Sequence, residues 1–328
     1  MTSSPTLVTP DDFFQMATYD IQRASRRVSL LTLIACDDPA TADFFDAVCD
    51  ATNRGLTLSI AADKFTYAEL GGHLRFTSQF SQRIKPIQDL KRKLAKHKIK
   101  IRWLGNYSNS LVTGRTHSKW LVIDDIVYTF GGVNMFHEAL ENTDYMIRLE
   151  DPVLAERLVH EQQRIIDADR SGHTYRSHSF ASTFGTIYID GGFIGDSIIY
   201  RRACELAKQA TRVTYVSQYC PTGKLGRLLK KTDAQLYFNP WNRADSLNAL
   251  TIRIGTLLSD NHTHYTRDRY LHAKCLIFEL PDGTKIALTG SHNFSHGGVW
   301  LGTREITLET SDHAIISQLE TFITEHVA

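Results

Sequence analysis

The chain has 328 residues, of which 42% are hydrophobic and 22% are charged, and its formal net charge is +1. These proportions are typical of a soluble globular protein with room for two domains of ordinary size, or for one large domain made of two halves. No run of 18 or more apolar residues is present, which excludes a typical membrane-spanning helix, and the N-terminal stretch lacks the basic and apolar regions of a signal peptide. Five cysteines without CxxC spacing predict reduced, mostly buried thiols and a cytoplasmic protein.

The first part of the chain predicts helices that alternate with strands. A helix from Phe13 to Ala24 leads into a strand that begins near Val28, and a helix from Ala42 to Asn53 leads into the strand Leu56–Ile60. Strands and helices at this spacing indicate βαβ units, and therefore a sheet flanked by helices.

A basic run follows, from Arg83 to Arg102. It contains nine lysines and arginines against one acid, Asp89. Solvated helix faces are usually of mixed sign, so we expect this run to contact a polyanion or an anionic membrane surface, and an ordinary basic helix face is the alternative. The side chains predicted to make the contact are Lys91, Arg92, Lys93 and Lys96.

One pattern then occurs twice: histidine-x-lysine, an apolar run, a carboxylate, and glycine-[glycine or serine]-x-asparagine. Each copy predicts a β-hairpin whose first strand receives the histidine and the lysine on one face, while the asparagine follows the second strand. The second hairpin is four residues longer, at the turn signal Pro281-Asp282-Gly283. A further carboxylate follows each copy. The two sets are His117, Lys119, Asp124, Asn134 and Asp144, and then His272, Lys274, Glu279, Asn293 and Glu305.

The second part of the chain predicts the same succession of elements as the first. Helices are expected at Ser197–Ala210 and Lys224–Lys231, each before a strand, and the hairpin of each part precedes a closing helix, Val153–Ala168 or Ala314–His326. We therefore predict two similar halves, residues 1–175 with a basic insertion at about 64–102, and residues 176–328.

Two histidines with two lysines suit nucleophilic displacement at a phosphate diester. One imidazole would attack phosphorus, the other would protonate the leaving oxygen, and the lysines would hold the non-bridging oxygens. Because the lysines supply the positive charge, we expect neither a metal nor another cofactor. His137, His292 and His296 adjoin the two asparagines and are expected to rim the site.

This pattern resembles the signature of the phospholipase D superfamily, HxKxxxxDxxxxxxGSxN, which usually occurs twice. The first copy fits residue by residue, with Gly132 where serine is frequent, whereas the second has Glu279 in place of aspartate and a longer hairpin. The resemblance implies an α/β fold of two phospholipase D-like halves, each a mixed sheet flanked by helices. It also implies that the halves pack around a pseudo-twofold axis with one active site at their interface, so that a single chain is a pseudo-dimer and is expected to be a monomer.

The resemblance also implies a role for each candidate catalytic residue. One histidine forms a phosphohistidine, and we expect this to be His117. Asp144 and Glu305 orient the imidazoles, while Asp124 and Glu279 are expected to brace the hairpins. The side chains expected to bind the phosphoryl oxygens are Lys119, Lys274, Asn134 and Asn293.

Two substrate classes remain open from the sequence. The first is phospholipid, with the chain acting as a phosphatidyltransferase or phospholipase that resembles the bacterial cardiolipin synthase branch. That reading implies a cytoplasmic protein bound peripherally to anionic membranes. The alternative is a metal-independent nuclease acting on DNA or RNA, although a nucleic-acid-binding protein is usually more basic than +1.

Overall fold

The computed structural model describes residues 4–71, 80–105, 114–172, 174–243, 252–253, 255–256 and 261–328. It contains two seven-stranded mixed sheets with helices packed against them. The predicted α/β class, with two mixed sheets flanked by helices, is therefore confirmed. Residues 72–79 of the predicted basic insertion lie outside the described residues.

The first sheet is formed by residues Thr6 to Glu150. Its strands in chain order are β1 (Thr6–Val8), β2 (Arg27–Thr32), β3 (Thr57–Asp63), β4 (Ile101–Leu104), β5 (Trp120–Ile123), β6 (Ile126–Thr129) and β8 (Met146–Glu150), and β7 (Asn142–Thr143) lies outside it. The helices are α1 (Pro10–Arg23), α2 (Ala42–Asn53), α3 (Phe65–Gly71), α4 (Phe80–Arg83), α5 (Lys85–Lys96), α6 (Glu138–Glu141) and α7 (Pro152–Ser171).

The second sheet is formed by residues His178 to Thr310. Its strands are β9 (His178–Ser182), β10 (Gly185–Gly191), β11 (Arg212–Val216), β12 (Asp233–Tyr237), β14 (Cys275–Glu279), β15 (Lys285–Gly290) and β16 (Arg304–Thr310), and β13 (Tyr270–Leu271) lies outside it. The helices are α8 (Ile198–Gln209), α9 (Gly223–Leu229), α10 (His296–Leu301) and α11 (His313–Phe322), with a 3₁₀ turn at Trp241–Arg243 and a final π turn at Ile323–Val327.

The two sheets share the order of six strands. The first reads β1-β8-β6-β5-β2-β3 and ends with β4, and the second reads β10-β16-β15-β14-β11-β12 with β9 beyond β10. Among the six shared strands, the β2–β3 or β11–β12 pair is parallel and the other neighbours are antiparallel, whereas the additional strand β4 pairs with β3 in parallel. The two histidine motifs therefore occupy equivalent places in two equivalent sheets.

Both predicted hairpins are confirmed. In the first, β5 pairs with β6 through a tight turn at Asp124, whose φ is 53°, and in the second, β14 pairs with β15 through a turn that contains Gly283. Lys119 and Lys274 each immediately precede the first strand of their hairpin. The histidines and lysines therefore lie at the end of the hairpin opposite its turn.

Local capping sets the ends of the helices. The α7 helix begins at Pro152 because the Asp151 carboxylate accepts hydrogen bonds of 2.9 Å from the N–H groups of Val153 and Leu154, and it ends before Gly172, whose φ of 69° is left-handed. The α1 helix begins at Pro10, three residues earlier than predicted, with Thr9 as its N-cap.

The insertion before His117 adds helices and one strand to the first half. Among the described residues it forms α3, α4 and α5, and β4 extends the first sheet at its edge beside β3. Five of the nine basic residues of the run lie on α5, which buries Ile87, Leu90 and Leu94. Its charged side chains consequently face away from the core.

The two halves share one apolar core. A buried cluster joins residues of the first sheet, such as Trp120 and Ile147, to residues of the second, such as Val216 and Ile306. All five cysteines are buried and free, as predicted. No helix among the described residues is long and apolar enough to cross a membrane.

Candidate active site

Each histidine motif is hydrogen-bonded through its backbone to a segment of the other half. That segment contains the carboxylate that follows the other half's motif. The backbone N–H groups of His117 and Ser118 both donate to the carbonyl of Arg304 at 2.8 Å. In the equivalent place, the N–H groups of His272 and Ala273 donate to the carbonyl of Thr143 at 3.0 and 2.9 Å. Glu305 directly follows Arg304 in the chain, and Asp144 directly follows Thr143. Each half therefore supplies the carboxylate that lies beside the histidine of the other half.

The imidazoles and carboxylates pair accordingly. Nδ1 of His117 lies 2.9 Å from Oε2 of Glu305, and Nδ1 of His272 lies 2.6 Å from Oδ2 of Asp144. An ionised carboxylate at this position holds the proton on Nδ1 and fixes the plane of the ring. Nε2 of each ring is then the nitrogen left for substrate.

Both carboxylates are buried and hydrogen-bonded on their other sides. Asp144 accepts from the N–H groups of Gly132 (3.2 Å) and Tyr145 (2.9 Å), whereas Glu305 accepts from the hydroxyls of Ser291 and Thr303. Burial raises the pKa of each carboxyl, but the facing histidine and the other charges and donors outweigh it. The net pKa of Asp144 is below its ordinary value and that of Glu305 is about 2, so both stay ionised.

Lys119 and Lys274 are buried between the halves. Each ammonium donates to the backbone carbonyl of the histidine two residues earlier, at 2.9 Å for Lys119. Burial, with the charge of Lys274, lowers the pKa of Lys119 to about 7, and burial lowers that of Lys274 to about 8, while Glu305 and Asp144 oppose both changes. Two cations that approach each other in this way provide a favourable place for an anion.

A cleft of about 1060 Å³ opens above these residues. His117, His272, Asn134 and Asn293 all line it, together with Glu305. The Oδ1 atoms of both asparagines are buried without a hydrogen-bond partner among the described residues. The asparagines therefore reach the cleft from equivalent places in the two halves, as their spacing predicts.

The imidazoles are kept neutral by their surroundings. Burial lowers the pKa of His272 to about 4, with a contribution from Lys274, and burial also lowers the pKa of His117 against the opposing effect of Glu305. A third histidine, His292, lines the cleft as predicted, and burial lowers its pKa to about 4. His137 also lines the cleft, whereas His296 packs against Tyr200 and Trp300 outside it.

Two residues of the candidate catalytic set are not brought to the cleft, which corrects their inclusion there. The Asp124 carboxylate accepts hydrogen bonds of 2.8 to 2.9 Å from the N–H groups of Ser25, Arg26 and Arg27, and so braces the first hairpin against β2. Glu279 ends β14, one hairpin strand away from Lys274, where its carbonyl accepts from the N–H of Thr211. Both lie at the turn end of their hairpins because the intervening strand separates them from the histidines.

The predicted membrane or polyanion contacts lie on α5 and differ in their surroundings. Lys93 is paired with Asp37 at 2.9 Å and with Asp46 at 2.7 Å, and Arg92 is paired with Asp89. Lys91 and Lys96 are exposed and form no ion pair with any described residue. The basic run is therefore more nearly neutralised than its sequence indicates.

Ser291 and Gly132 were absent from the predicted set although both belong to the motif. Ser291 donates to Glu305. A Cβ atom on Gly132 would lie 2.5 Å from Oδ2 of Asp144 and 2.8 Å from Nδ1 of His272, so this position has no room for a side chain. The glycine-or-serine position of the motif was the signal that could have identified these two residues. The backbone N–H of Gly132 donates to Asp144, whereas the side chain of Ser291 donates to Glu305.

The comparisons with known proteins follow this geometry. Residues 18–166 match the family model described as "Cardiolipin synthase, PLD-like domain". The matched residues lie within the first half of the chain. The first half of the chain is therefore similar to the phospholipase D-like domain that this model describes. A comparison with curated proteins gives no match.

Two solved structures share the fold of this chain. The phosphatidylserine synthase of Haemophilus influenzae has a TM-score of 0.69 and 13% sequence identity, and the match covers 99% of this chain and 86% of that one. The polyphosphate kinase of Porphyromonas gingivalis has a TM-score of 0.62 and 12% identity, with 97% of this chain and 49% of that one covered. At these identities the likeness concerns the fold, and it extends over both halves of the chain.

No group of three or more histidine, cysteine or acidic side chains that could hold a metal ion occurs within the described ranges. The polar lining of the cleft includes the two imidazoles, the two asparagines and Glu305, while Lys119 and Lys274 are fully buried near Asp144 and Glu305. Two imidazoles, each oriented by a carboxylate, are suited to nucleophilic and general acid–base catalysis.

Proposed function

We propose that the protein is a phospholipid phosphatidyltransferase or phospholipase that works through a phosphohistidine. The observation that carries this proposal is the pair of carboxylate-held imidazoles in one cleft, each beside a buried lysine. With Nδ1 occupied, Nε2 of one ring has its lone pair available for attack on phosphorus.

The first step forms the P–N bond and breaks the P–O bond to the leaving alcohol. The leaving oxygen takes a proton from the second imidazole, which needs to be cationic at that moment. A bound phosphodiester favours that protonation because its negative charge lies next to the ring. Lys119 and Lys274 would stabilise the charge that grows on the non-bridging oxygens.

The second step reverses the roles of the two rings. The hydroxyl of the acceptor attacks phosphorus, its proton passes to the second imidazole, and the P–N bond breaks. We expect His117 to be the nucleophile, because the first motif fits the signature of the superfamily without gaps. The acceptor is water in a hydrolase and an alcohol in a transferase.

The lining of the cleft favours a lipid over a nucleic acid. Away from the two histidines its wall contains, among the described residues, a group of apolar side chains, the rings of Tyr219 and Tyr270, and only two arginines, Arg83 and Arg115. A nucleic-acid groove is lined mainly by cations together with stacking aromatic rings. The phosphatidylserine synthase that shares the fold makes a phospholipid, as its name states, which supports the same choice. The apolar residues are Leu33, Ile34, Phe65, Leu70, Phe136 and Leu301.

The test is a product analysis with two labelled substrates in parallel. The purified protein is given labelled phosphatidylglycerol in detergent micelles, with and without added glycerol, beside labelled single-stranded DNA. We expect phosphatidic acid or an exchanged phosphatidyl product from the lipid, and none of it with His117→Ala. Cleavage of the DNA with no lipid product would replace this proposal with the nuclease alternative.

A further inference from the structure

The rim of the cleft carries a patch of exposed apolar side chains, here called the rim patch, made of Phe193, Ile194, Trp300 and Leu301. Their exposed fractions are 41%, 60%, 59% and 41%. Large apolar side chains grouped in this way on a soluble protein mark an interaction site more often than scattered ones do. The described residues contain only four other exposed large hydrophobic side chains, Met16, Tyr19, Val153 and Trp241.

The four residues form one surface because their two loops touch. The N–H of Gly195 donates to the carbonyl of Val299 at 2.9 Å. A Cβ atom on Gly302 would lie 2.6 Å from the backbone nitrogen of Ile194, so the chain that follows Leu301 passes directly against the Phe193–Ile194 loop. Leu301 also lines the cleft, which makes the rim patch continuous with the wall of the site.

A basic segment lies beside the rim patch. The nitrogen Nε1 of Trp300 donates to His296 at 3.1 Å, and His296 in turn packs on Gly223, at the start of α9. The sequence Gly223–Lys231 has four cations and no acid. All four are exposed, and none forms an ion pair with a described residue. They are Lys224, Arg227, Lys230 and Lys231.

We propose that the rim patch and the basic segment Gly223–Lys231 together form the face by which the protein docks on an anionic phospholipid bilayer, with the cleft opening onto the lipid surface. This inference rests on the proposed function, because a soluble enzyme that acts on phospholipid has to take its substrate from a membrane. Tryptophan is favoured at the boundary between hydrocarbon and water, and lysine and arginine are attracted to anionic headgroups.

This face differs from the α5 surface that the sequence alone indicates. On α5, Arg92 and Lys93 are paired with acidic side chains, which weakens the attraction of their charge to an anionic bilayer. Among the described residues, no exposed large apolar side chain lies on α5 beside these cations. On the rim, four unpaired cations adjoin four apolar side chains. The cations can therefore bind anionic headgroups at the same place where the apolar side chains insert into the bilayer.

The experiment measures sedimentation of the 328-residue chain with vesicles of phosphatidylglycerol and phosphatidylcholine, and with phosphatidylcholine alone. Two variants remove the face in parts: Ile194→Ser with Trp300→Ser, and Lys224, Arg227, Lys230 and Lys231 all changed to Gln. We expect each to weaken binding to the anionic vesicles by about tenfold or more. The matched controls are Val153→Ser, an exposed apolar residue elsewhere, and Lys91→Gln with Lys96→Gln on α5.

A spectroscopic measurement locates the insertion. In a Trp241→Phe background, brominated phospholipid is expected to quench the fluorescence of Trp300, and Trp300→Phe is expected to remove that quenching. Turnover of a small soluble phosphodiester should stay within about twofold in all variants, because none of the changed side chains contacts His117 or His272. Retained turnover also shows that the variants fold.

Three results would overturn the docking face. One is unchanged vesicle binding by both rim variants. Another is loss of binding with the α5 control alone, which would move the contact to α5. If the wild-type protein ignores vesicles but turns over micellar phospholipid, the docking face is wrong and the proposed function stands. If vesicle binding depends on the rim patch but no phospholipid is turned over, the docking face stands and the proposed function is wrong.

Discussion

Glu305 lies 2.9 Å from Nδ1 of His117, although the two residues belong to different halves and are separated by 188 positions in the chain. Asp144 stands in the same relationship to His272, across 128 positions. Neither half therefore contains a complete imidazole–carboxylate pair. An isolated half would present a histidine without the group that orients it, and function would require both halves to be packed together.

Neutralising either carboxylate should reduce activity strongly. In Asp144→Asn and Glu305→Gln the shape is retained, but the amide no longer enforces the tautomer or stabilises the imidazolium. By comparison with the orienting aspartate of a serine protease triad, we expect kcat to fall by a factor on the order of 10⁴. Steady-state kinetics on a soluble phosphodiester would measure the loss. Because each carboxylate serves the other half, the paired variants Asp144→Asn with His272→Ala should be little worse than His272→Ala alone.

Each histidine should be indispensable within a single chain. His117→Ala and His272→Ala are each expected to remove nearly all turnover, because the two rings carry different steps of the reaction. Mixing the two variants should restore nothing if both motifs act in one molecule, and recovery on mixing would indicate a site shared between subunits. Phosphohistidine trapped by acid quench should map to His117. A trapped adduct on His272 would reverse the assignment of nucleophile and acid.

Gly132 should not tolerate a side chain. The Cβ atom of Gly132→Ala would lie within 2.9 Å of both carboxylate oxygens of Asp144 and within 2.8 Å of Nδ1 of His272, so the pair has to separate. A displacement of this kind can reduce kcat by about 10²-fold. The matched control is Gly297→Ala, where the nearest atom would be 3.9 Å away and activity should stay within about twofold. Equal effects of the two changes would show that the close packing at Gly132 is unimportant.

The pH dependence should report the buried lysines. The pKa values of Lys119 and Lys274 are lowered to about 7 and about 8, so in the free protein their charge is present below these values and is lost as the pH rises through them. We expect kcat/KM for a soluble phosphodiester to fall over that range. A bound anion favours the charged ammonium and raises its pKa, so the decline in kcat should occur at higher pH. Coincident declines in the two profiles would contradict this.

Activity should persist in excess EDTA. The positive charge that a phosphoryl group requires is supplied by Lys119 and Lys274, so removing divalent ions is expected to change turnover by less than about twofold. The assay compares untreated and chelated protein on the same phosphodiester. Complete loss, restored by adding a divalent ion, would instead indicate metal-assisted hydrolysis.

Much of the fold can be predicted from local patterns. The hairpins follow from apolar runs bounded by turn residues, and the helices follow from apolar periodicity with capping signals such as Asp151-Pro152. The α5 surface shows where this reasoning fails. A count of charges along the chain cannot reveal that Lys93 meets Asp37 and Asp46, because these acids belong to another part of the first half.

The candidate site divides in the same way. Which residue types carry the chemistry is evident from two copies of one motif, because each copy is short and its spacing is set by a single hairpin. Which carboxylate serves which histidine is decided by packing: the carbonyl of Arg304 accepts the backbone of His117, and the carbonyl of Thr143 accepts that of His272. These contacts join distant segments of the chain. A local sequence pattern determines only its own hairpin and does not indicate which hairpin will pack against it. The pairing of Asp144 and Glu305 with the histidine of the opposite half is therefore decided by the tertiary structure alone.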